Sequence, residues 1–158
     1  MKDVFNPLFW EKRIKSAPQL SYSVAAIDPR YLEIITKSHE KIISKLVSGR
    51  VLDFGCGYGR LAFCFDRSSY VGIDIVPTFI EIARKEHPDK QFLVGDVRRL
   101  PFKRNSFDWG VGVSMREMIR GNTDEWEKCQ KELLRVCKKL LILEYEPDTY
   151  EIIENKKV

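Results

Sequence analysis

A glycine-rich turn that directly follows an apolar strand is the feature that most constrains the fold of this chain. The strand pattern covers Val51–Phe54, and glycines then occupy every second position of the turn, at Gly55, Gly57 and Gly59. Without side chains the turn can bend tightly, and a ligand can approach its main-chain atoms before a helix begins. A dinucleotide-binding turn would place its third glycine where Arg60 stands, so the pattern argues against a pyrophosphate cofactor and favours a smaller zwitterionic one.

Short apolar runs alternate with helical patterns along the rest of the chain. Asp28 and Pro29 form an N-cap followed by a proline at the first helical position, and they predict a long helix that Gly49 would end. This alternation predicts a doubly wound α/β fold, with a mostly parallel sheet of about five strands, helices on both faces and a ligand crevice at the carboxyl ends of the strands. The predicted helices cover 5–16, 28–49, 77 onward and 122–138, and the predicted strands cover 51–54, 70–74, 91–94, 107–113 and 140–143.

The composition of the chain fits a single domain whose core we expect to span residues 50–158. The 158 residues are 44% hydrophobic and carry a net charge of +4, which permits an anionic partner without requiring one. The 4 cysteines form no Cys-x-x-Cys pair, and no cysteine or histidine cluster has zinc-finger spacing, so we expect no metal site. No signal-peptide pattern and no apolar stretch near the ~20 residues of a membrane span occur, which predicts a cytoplasmic protein with reduced thiols.

Acidic residues follow the predicted strands in a specific order. Asp74 closes the second strand 19 positions after Gly55, near the ~20-residue offset at which an acid meets a ribose in related folds. Asp96 follows the third strand. Together with Asp53 and the glycines, this arrangement resembles the class I S-adenosylmethionine-dependent methyltransferases over residues 50–146. The matching segments are 53–59, 74, 95–102, 107–109 and 135–138.

The resemblance implies a Rossmann-like core that binds S-adenosyl-L-methionine and releases S-adenosyl-L-homocysteine. Asp53 and the backbone around Gly55 would hold the methionyl ammonium group, and the helix N-terminus after Gly59 would suit the methionyl carboxylate. Asp74 would accept hydrogen bonds from both ribose hydroxyls, and Asp96 would accept one from the adenine amino group. The expected cofactor-binding residues are Asp53, Gly55, Cys56, Gly57, Gly59, Asp74, Ile75, Asp96, Val97 and Ser114.

The resemblance also implies that an N-terminal helical segment, residues 1–49, folds over the cofactor as a lid. Trp10, Arg13 and Tyr22 lie in this segment. Phe9 and Trp10 also suit the packing of a helix against the core, so contact with a substrate is not their only interpretation.

The pattern at the end of the fourth strand bears on the methyl acceptor. Methyl transfer depends mainly on positioning, so no catalytic residue is assigned. The segment 114–117 lacks the Asn/Asp-Pro-Pro signature of enzymes that methylate base amines, and no Pro-Cys pair occurs, which favours a small-molecule acceptor over nucleic acid or protein. Arg116 and Glu117 either orient the acceptor or solvate their loop, and His39 and His87 are interpreted as packing or surface residues.

The C-terminus departs from the family pattern. Only residues 147–158 remain after the fifth strand, and they predict one short helix from Asp148 to about Asn155. The family's C-terminal hairpin is therefore expected to be missing, which leaves an open strand edge for the tail, a homodimer or a partner subunit to cover. Three other functions stay open: a non-catalytic S-adenosylmethionine-binding module or partner subunit, a protein that binds another adenosine ligand, and an RNA or protein methyltransferase.

Overall fold

The structure, a computed structural model, describes residues 5–16, 28–115 and 123–155. The expectations for Tyr22, Arg116 and Glu117 lie outside these residues. The helices are α1 (Pro7–Ser16), α2 (Pro29–Leu46), α3 (Pro77–Glu86) and α4 (Thr123–Val136), and a short 3₁₀ helix covers Ala62–Cys64. The strands are β1 (Val51–Phe54), β2 (Tyr70–Asp74), β3 (Gln91–Val94), β4 (Phe107–Val113), β5 (Cys137–Leu143) and β6 (Tyr150–Glu154).

The described strands form one sheet in the order β3-β2-β1-β4-β5-β6. Strands β1 to β5 are parallel to their neighbours, and β6 pairs antiparallel with β5. The chain builds the sheet outward from β1 to β3 in one direction and then returns to β4 on the other side of β1. The order therefore reverses between β1 and β4, which is where such sheets open a ligand crevice. The predicted doubly wound α/β fold is confirmed.

Helices cover both faces of the sheet. On one face Ile42 and Ile43 of α2 and Ile80 of α3 pack with Tyr70 and Val111 of the strands. On the other face the buried side of α4 packs against β1 and β5. It contributes four buried side chains to the hydrophobic core there: Trp126, Cys129, Leu133 and Val136. Both faces of the central strands are buried, which explains why these strands read as continuous apolar runs.

The start of α2 lies where the sequence predicted it. Asp28 caps the helix by accepting a hydrogen bond from the Arg30 backbone N–H at 2.9 Å, and Pro29 occupies the first turn. The helix ends at Leu46, three residues before Gly49, whose φ of +81° is a left-handed conformation that favours glycine. The chain then enters β1 directly.

The helix expected directly after the glycine turn is nearly absent. Only the three-residue 3₁₀ helix at Ala62–Cys64 follows Gly59 before the chain reaches β2. A 3₁₀ helix this short has a small summed dipole, so the expected attraction of a carboxylate to a helix N-terminus loses most of its basis. Any carboxylate at this position would depend on N–H groups of the turn itself.

The prediction for the C-terminal tail was wrong. Instead of a short helix from Asp148 to Asn155, the tail forms β6 and completes an antiparallel hairpin with β5, so the sheet has six described strands and the family's hairpin is present. Asp148 makes the reversal with a φ of +57°, and the Glu144 backbone N–H donates to the Thr149 carbonyl at 3.1 Å. Strand β5 offers unpaired main-chain groups, and satisfying them outweighs the weak local preference for a helix.

The boundary between α4 and β5 also differs from the prediction. Cys137 was placed on the last turn of the helix, but the helix ends at Val136 and Cys137 already pairs with Phe107 of β4. Because β6 covers the edge of β5, no second subunit is needed there; whether the chain forms a homodimer through another surface stays a prediction.

Three further properties concern membranes, metals and thiols. None of the helices within the described ranges is long and apolar enough to cross a membrane. No group of three or more His, Cys, Asp or Glu side chains in the same ranges could hold a metal ion. The four cysteines, all of which the structure describes, are free thiols.

Two neighbouring isoleucines of β6 test its register. Ile153 is half-buried against the α4-side core, whereas Ile152 is 41% exposed. We expect Ile153→Ala to lower the free energy of unfolding by about 1–2 kcal/mol because it removes packed methyl groups, and Ile152→Ala to change it by less than about 0.5 kcal/mol. Urea denaturation of the two variants measures the difference, and equal losses would contradict this register.

Candidate functional site

The glycine turn is bound to the end of β2 by main-chain hydrogen bonds. The N–H groups of Gly55 and Cys56 both donate to the Ile73 carbonyl, at 2.8 and 3.1 Å, and the Gly57 N–H donates to Asp74 Oδ2 at 2.8 Å. The three glycines of the turn have φ values of +66°, +55° and +82°, a region that side chains disfavour. A Cβ placed on Gly55 would lie 2.8 Å from Met115 Sδ, so the residues after β4 pack directly on this turn. The crevice at the point where the strand order reverses is therefore lined by the glycine turn and by Met115, which pack against each other.

Asp53 is a buried carboxylate with one oxygen still available. Its side chain is 3% exposed, and the Tyr70 hydroxyl donates to Oδ2 at 2.7 Å. In the described part of the chain Oδ1 has no hydrogen-bond donor and no cation pairs with the group. Burial raises the pKa of Asp53 to about 7, opposed by the Tyr70 hydrogen bond and by the charge of Arg60. A cationic ligand would strongly stabilise the ionised form of such a buried group.

Asp74 is the last residue of β2, and its carboxylate accepts hydrogen bonds from the glycine turn and from the residues that follow β2. Its Oδ2 accepts from the Gly57 backbone N–H, and its Oδ1 accepts from the Val76 backbone N–H at 2.9 Å. Burial raises the pKa of this carboxyl, and the backbone hydrogen bonds oppose that rise. Each oxygen keeps a second lone pair, so two further donors such as vicinal hydroxyls can still bind.

Asp96 stands next to Asp74 but has a partner that the sequence did not indicate. The Gly95 N–H donates to the Asp74 carbonyl at 2.9 Å, which holds the two loops together. Both carboxylate oxygens of Asp96 bind the Arg98 guanidinium, the shortest contact being 2.6 Å. Partial burial raises the pKa of Asp96, but the hydrogen bonds and charge of Arg98 outweigh it and lower the pKa overall. A ligand amino group would therefore share Asp96 with Arg98. Buried Val97 offers a backbone N–H for which the described residues provide no acceptor.

Helix α1 lies against the same end of the sheet. Trp10 packs with Val76 and Phe79 at the start of α3, and the half-buried Ile75 joins this cluster. The Thr78 hydroxyl donates to the Glu11 carboxylate at 2.8 Å. The contacts place α1 beside the residues that follow β2.

Ser114 and Glu144 meet at the ends of β4 and β5. Ser114 has a φ of +49°, its N–H donates to the Leu143 carbonyl at 2.7 Å, and its hydroxyl donates to Glu144 Oε2 at 2.7 Å. Ser114 is thus bound to a carboxylate on the opposite side of β1 from Asp74. Sequence analysis did not single out Glu144, although its position directly after the fifth strand was a signal that could have found it.

His39 is a packing residue with a defined tautomer, as expected. It is fully buried on α2; its Nδ1 lies 3.1 Å from the Arg60 guanidinium and its Nε2 lies 2.8 Å from the Glu144 carbonyl. A guanidinium only donates, so Nδ1 accepts and Nε2 carries the proton. Burial lowers the pKa of His39 to about 4, and the nearby Arg60 charge lowers it further. The histidine ties α2 to Arg60 and to the end of β5.

A sequence profile for the methyltransferase domain matches residues 52–142, which include the glycine turn, both acid-bearing strand ends and most of β5. The chain belongs to the S-adenosylmethionine-dependent methyltransferases.

Named relatives agree with this assignment. The chain is 33% identical over 103 residues to the phthiotriol/phenolphthiotriol dimycocerosates methyltransferase of Mycobacterium leprae, covering 61% of the chain and 38% of that relative. It is 32% identical over 109 residues to the demethylmenaquinone methyltransferase of Renibacterium salmoninarum, covering 64% and 43%. A solved structure of a SAM-dependent methyltransferase, possible histamine N-methyltransferase, from Thermotoga maritima superposes with a TM-score of 0.57 and 27% identity over 72% of this chain and 54% of that one. The chain spans less than half the length of the two curated relatives.

The buried His39 gives the protein a measurable pH dependence of stability. Its pKa is about 4 when folded against the ordinary 6.5, so the unfolded chain binds a proton first as the pH falls. The stabilisation is complete above pH 6.5 and is lost as the pH falls toward 4, by about 3 kcal/mol in total. We expect the free energy of unfolding of the wild type to fall relative to that of His39→Gln across this range, as measured by denaturation at several pH values. Parallel pH profiles would contradict a neutral buried histidine.

Proposed function

We propose that this domain transfers the methyl group of S-adenosyl-L-methionine to a small-molecule acceptor. The observation that carries the proposal is the buried Asp53, whose Oδ1 lacks a partner among the described residues and which stands at the reversal of the sheet beside Asp74. A carboxylate of this kind is costly to bury and is stabilised by a ligand with a positive charge. S-adenosylmethionine carries an ammonium group and an adenosine, and both match groups around the crevice.

The residues present fit this cofactor in three places. Asp53 would bind the methionyl ammonium group through its free oxygen. Asp74 would bind the ribose hydroxyls through its remaining lone pairs, as a doubly accepting carboxylate can. The Val97 N–H would donate to the adenine ring while Asp96, shared with Arg98, accepts from the amino group. Ile75 would cover the purine on the side where α1 packs.

Three N–H groups of the turn hydrogen-bond within the fold and are therefore not available to the cofactor. Gly55, Cys56 and Gly57 direct their N–H groups at the end of β2, so their contribution to a ligand would come from carbonyl oxygens and from the space that absent side chains leave. An ammonium group needs acceptors, so this arrangement suits the methionyl end. A Cβ placed on Gly59 would lie 3.1 Å from both His87 Cδ2 and Phe92 Cζ. The missing side chain therefore leaves room for these two rings.

Catalysis by this chain would rest on orientation. The cofactor, when bound, supplies an electrophilic methyl group on a sulfonium. The chain's own residues would hold both reactants in line, and positioning of this kind can supply roughly 7–11 kcal/mol of the barrier. The Ser114–Glu144 pair lies across β1 from Asp74, at the ends of β4 and β5. We propose that Ser114 contributes to the acceptor side of the site rather than to cofactor binding.

The names of the relatives support a small-molecule acceptor. The names of the two curated relatives specify a quinone and a lipid, demethylmenaquinone and phthiotriol dimycocerosates. The non-catalytic module considered from the sequence was motivated by a missing C-terminal hairpin, and β6 supplies that hairpin. No observation in the described residues favours RNA or protein as acceptor.

Replacement of Asp74 tests the cofactor site directly. We expect Asp74→Asn to weaken the binding of S-adenosylhomocysteine by about tenfold or more, because a charged acceptor of ribose hydroxyls becomes a neutral amide. Asp66→Asn is the matched control, since Asp66 is an exposed acid. Calorimetric titration at pH 7.5 gives both dissociation constants. Absence of heat with the wild-type protein, or equal constants for both variants, would overturn the proposed function.

The lid role of residues 1–49 makes a separate prediction. Thr78→Val and Glu11→Ala each remove the hydrogen bond between α3 and α1 without touching the crevice acids. We expect each variant to weaken S-adenosylhomocysteine binding by about threefold, because α1 docks less firmly over Ile75. Unchanged affinity in both variants, and in a chain lacking residues 1–20, would show that the segment does not close the site.

A further inference from the structure

Tyr70 reaches across the sheet to a single oxygen of Asp53. The tyrosine is 1% exposed at the start of β2, its ring is stacked on Phe65 at 5.3 Å and it meets the edge of Phe92 at 5.7 Å. Its hydroxyl donates to Asp53 Oδ2 at 2.7 Å. Burial and the neighbouring Asp53 charge raise the pKa of Tyr70 far above its usual range, so it is a neutral donor. The rings on both sides leave this hydroxyl little freedom.

Gly72 is required for this contact. It is the register partner of Asp53 on β2, and a Cβ there would lie 2.9 Å from the Tyr70 hydroxyl oxygen. A side chain at this position would therefore block the path by which the tyrosine reaches the acid. Gly72 is not part of the glycine turn; its missing side chain leaves room for the Phe92 ring, whose Cδ1 would lie 2.6 Å from that Cβ, and for the Tyr70 hydroxyl.

Among the residues that the structure describes, none supplies a cation bonded to Asp53. The charge of Arg60, on the segment after the turn, acts on Asp53, but its guanidinium bonds Thr36 at 2.8 Å and His39 at 3.1 Å instead. Asp74 at the end of β2 adds a like charge. The remaining titratable neighbours, Cys56 and Cys64, are thiols whose pKa burial raises, so they carry no charge at neutral pH.

We propose that Tyr70 is a positioning residue that holds Asp53 ready for the cofactor's ammonium group, and that binding of this group expels a proton from Asp53. The inference rests on the proposed function because it assigns the ammonium group to Asp53. The exchange is balanced: the Asp53 carboxyl loses its proton to solvent, and an ion pair between carboxylate and ammonium replaces it. No other bond forms or breaks.

The sign of the pH effect follows from the burial of Asp53. With a pKa of about 7 in the free protein, the carboxyl is mostly protonated below pH 7, so ligand binding must displace a proton there and affinity falls by up to about tenfold per pH unit. Above pH 8 the acid is already ionised and affinity levels off. The Tyr70 hydrogen bond lowers the pKa of Asp53, so its removal shifts the whole profile to higher pH.

The test is calorimetric titration of the full chain with S-adenosylhomocysteine at pH 6.0, 7.0 and 8.5, at each pH in two buffers that hold that pH and differ in ionisation enthalpy, so that the difference in heat reports the protons released. We expect the wild type to release about half a proton at pH 7 and almost none at pH 8.5. Tyr70→Phe should bind about tenfold more weakly at pH 7 and recover most of that loss at pH 8.5. Tyr31→Phe, an exposed tyrosine on α2, is the matched control and should follow the wild type.

Three outcomes would overturn the inference. They are wild-type binding without proton release at any pH, a Tyr70→Phe loss that is equal at all three pH values, and a Tyr70→Phe profile identical to that of the wild type. The first outcome is measured on the wild type alone, so the inference can be refuted even if Tyr70→Phe folds poorly. A ligand-free NMR titration of the Asp53 carboxyl carbon separates the two proposals. If the wild type gives no heat, the proposed function fails, whereas a titration midpoint that Tyr70→Phe does not raise contradicts the Tyr70 role alone.

Discussion

The hydrogen bonds between the glycine turn and the end of β2 are the constraint on which the crevice depends. Main-chain N–H groups of Gly55 and Cys56 converge on the Ile73 carbonyl, and the Gly57 N–H binds the Asp74 carboxylate. These bonds connect neighbouring strand ends, so residues far apart in the chain become one wall. They also need positive φ values that only glycine adopts cheaply, which is why alternate residues of the turn lack side chains.

Burial shifts the pKa values of Asp53 and His39 in opposite directions. It raises the pKa of Asp53 to about 7 and lowers the pKa of His39 to about 4, because a low-dielectric interior disfavours the charged form of each. Both ring nitrogens of His39 have hydrogen-bond partners within the fold, the Arg60 guanidinium and the Glu144 carbonyl, so neither is left for a ligand. Asp53 keeps an oxygen without a described partner. The difference separates a packing residue from one that is suited to a ligand.

Much of the architecture could be predicted because strands and helices follow from local patterns. The bounds of β1 and β2 and the start of α2 agree with the apolar runs and with the cap at Asp28. Two predictions failed where local pattern is weak. Three residues of 3₁₀ helix replaced the helix after Gly59, and β6 replaced a C-terminal helix because the open edge of β5 offers hydrogen bonds that no local window contains.

The sequence by itself determined the order of the acids, their spacing after the strands and the family to which the pattern is similar. Only the tertiary structure decided how each acid is used. Tyr70 occupies one oxygen of Asp53, Arg98 occupies both oxygens of Asp96, and Ser114 turns to Glu144. Apart from the Asp96–Arg98 pair, these partners are 17 or 30 residues apart in the chain. Their meeting depends on the register of parallel strands and on burial, which are properties of the assembled sheet and cannot be read from any short stretch of residues.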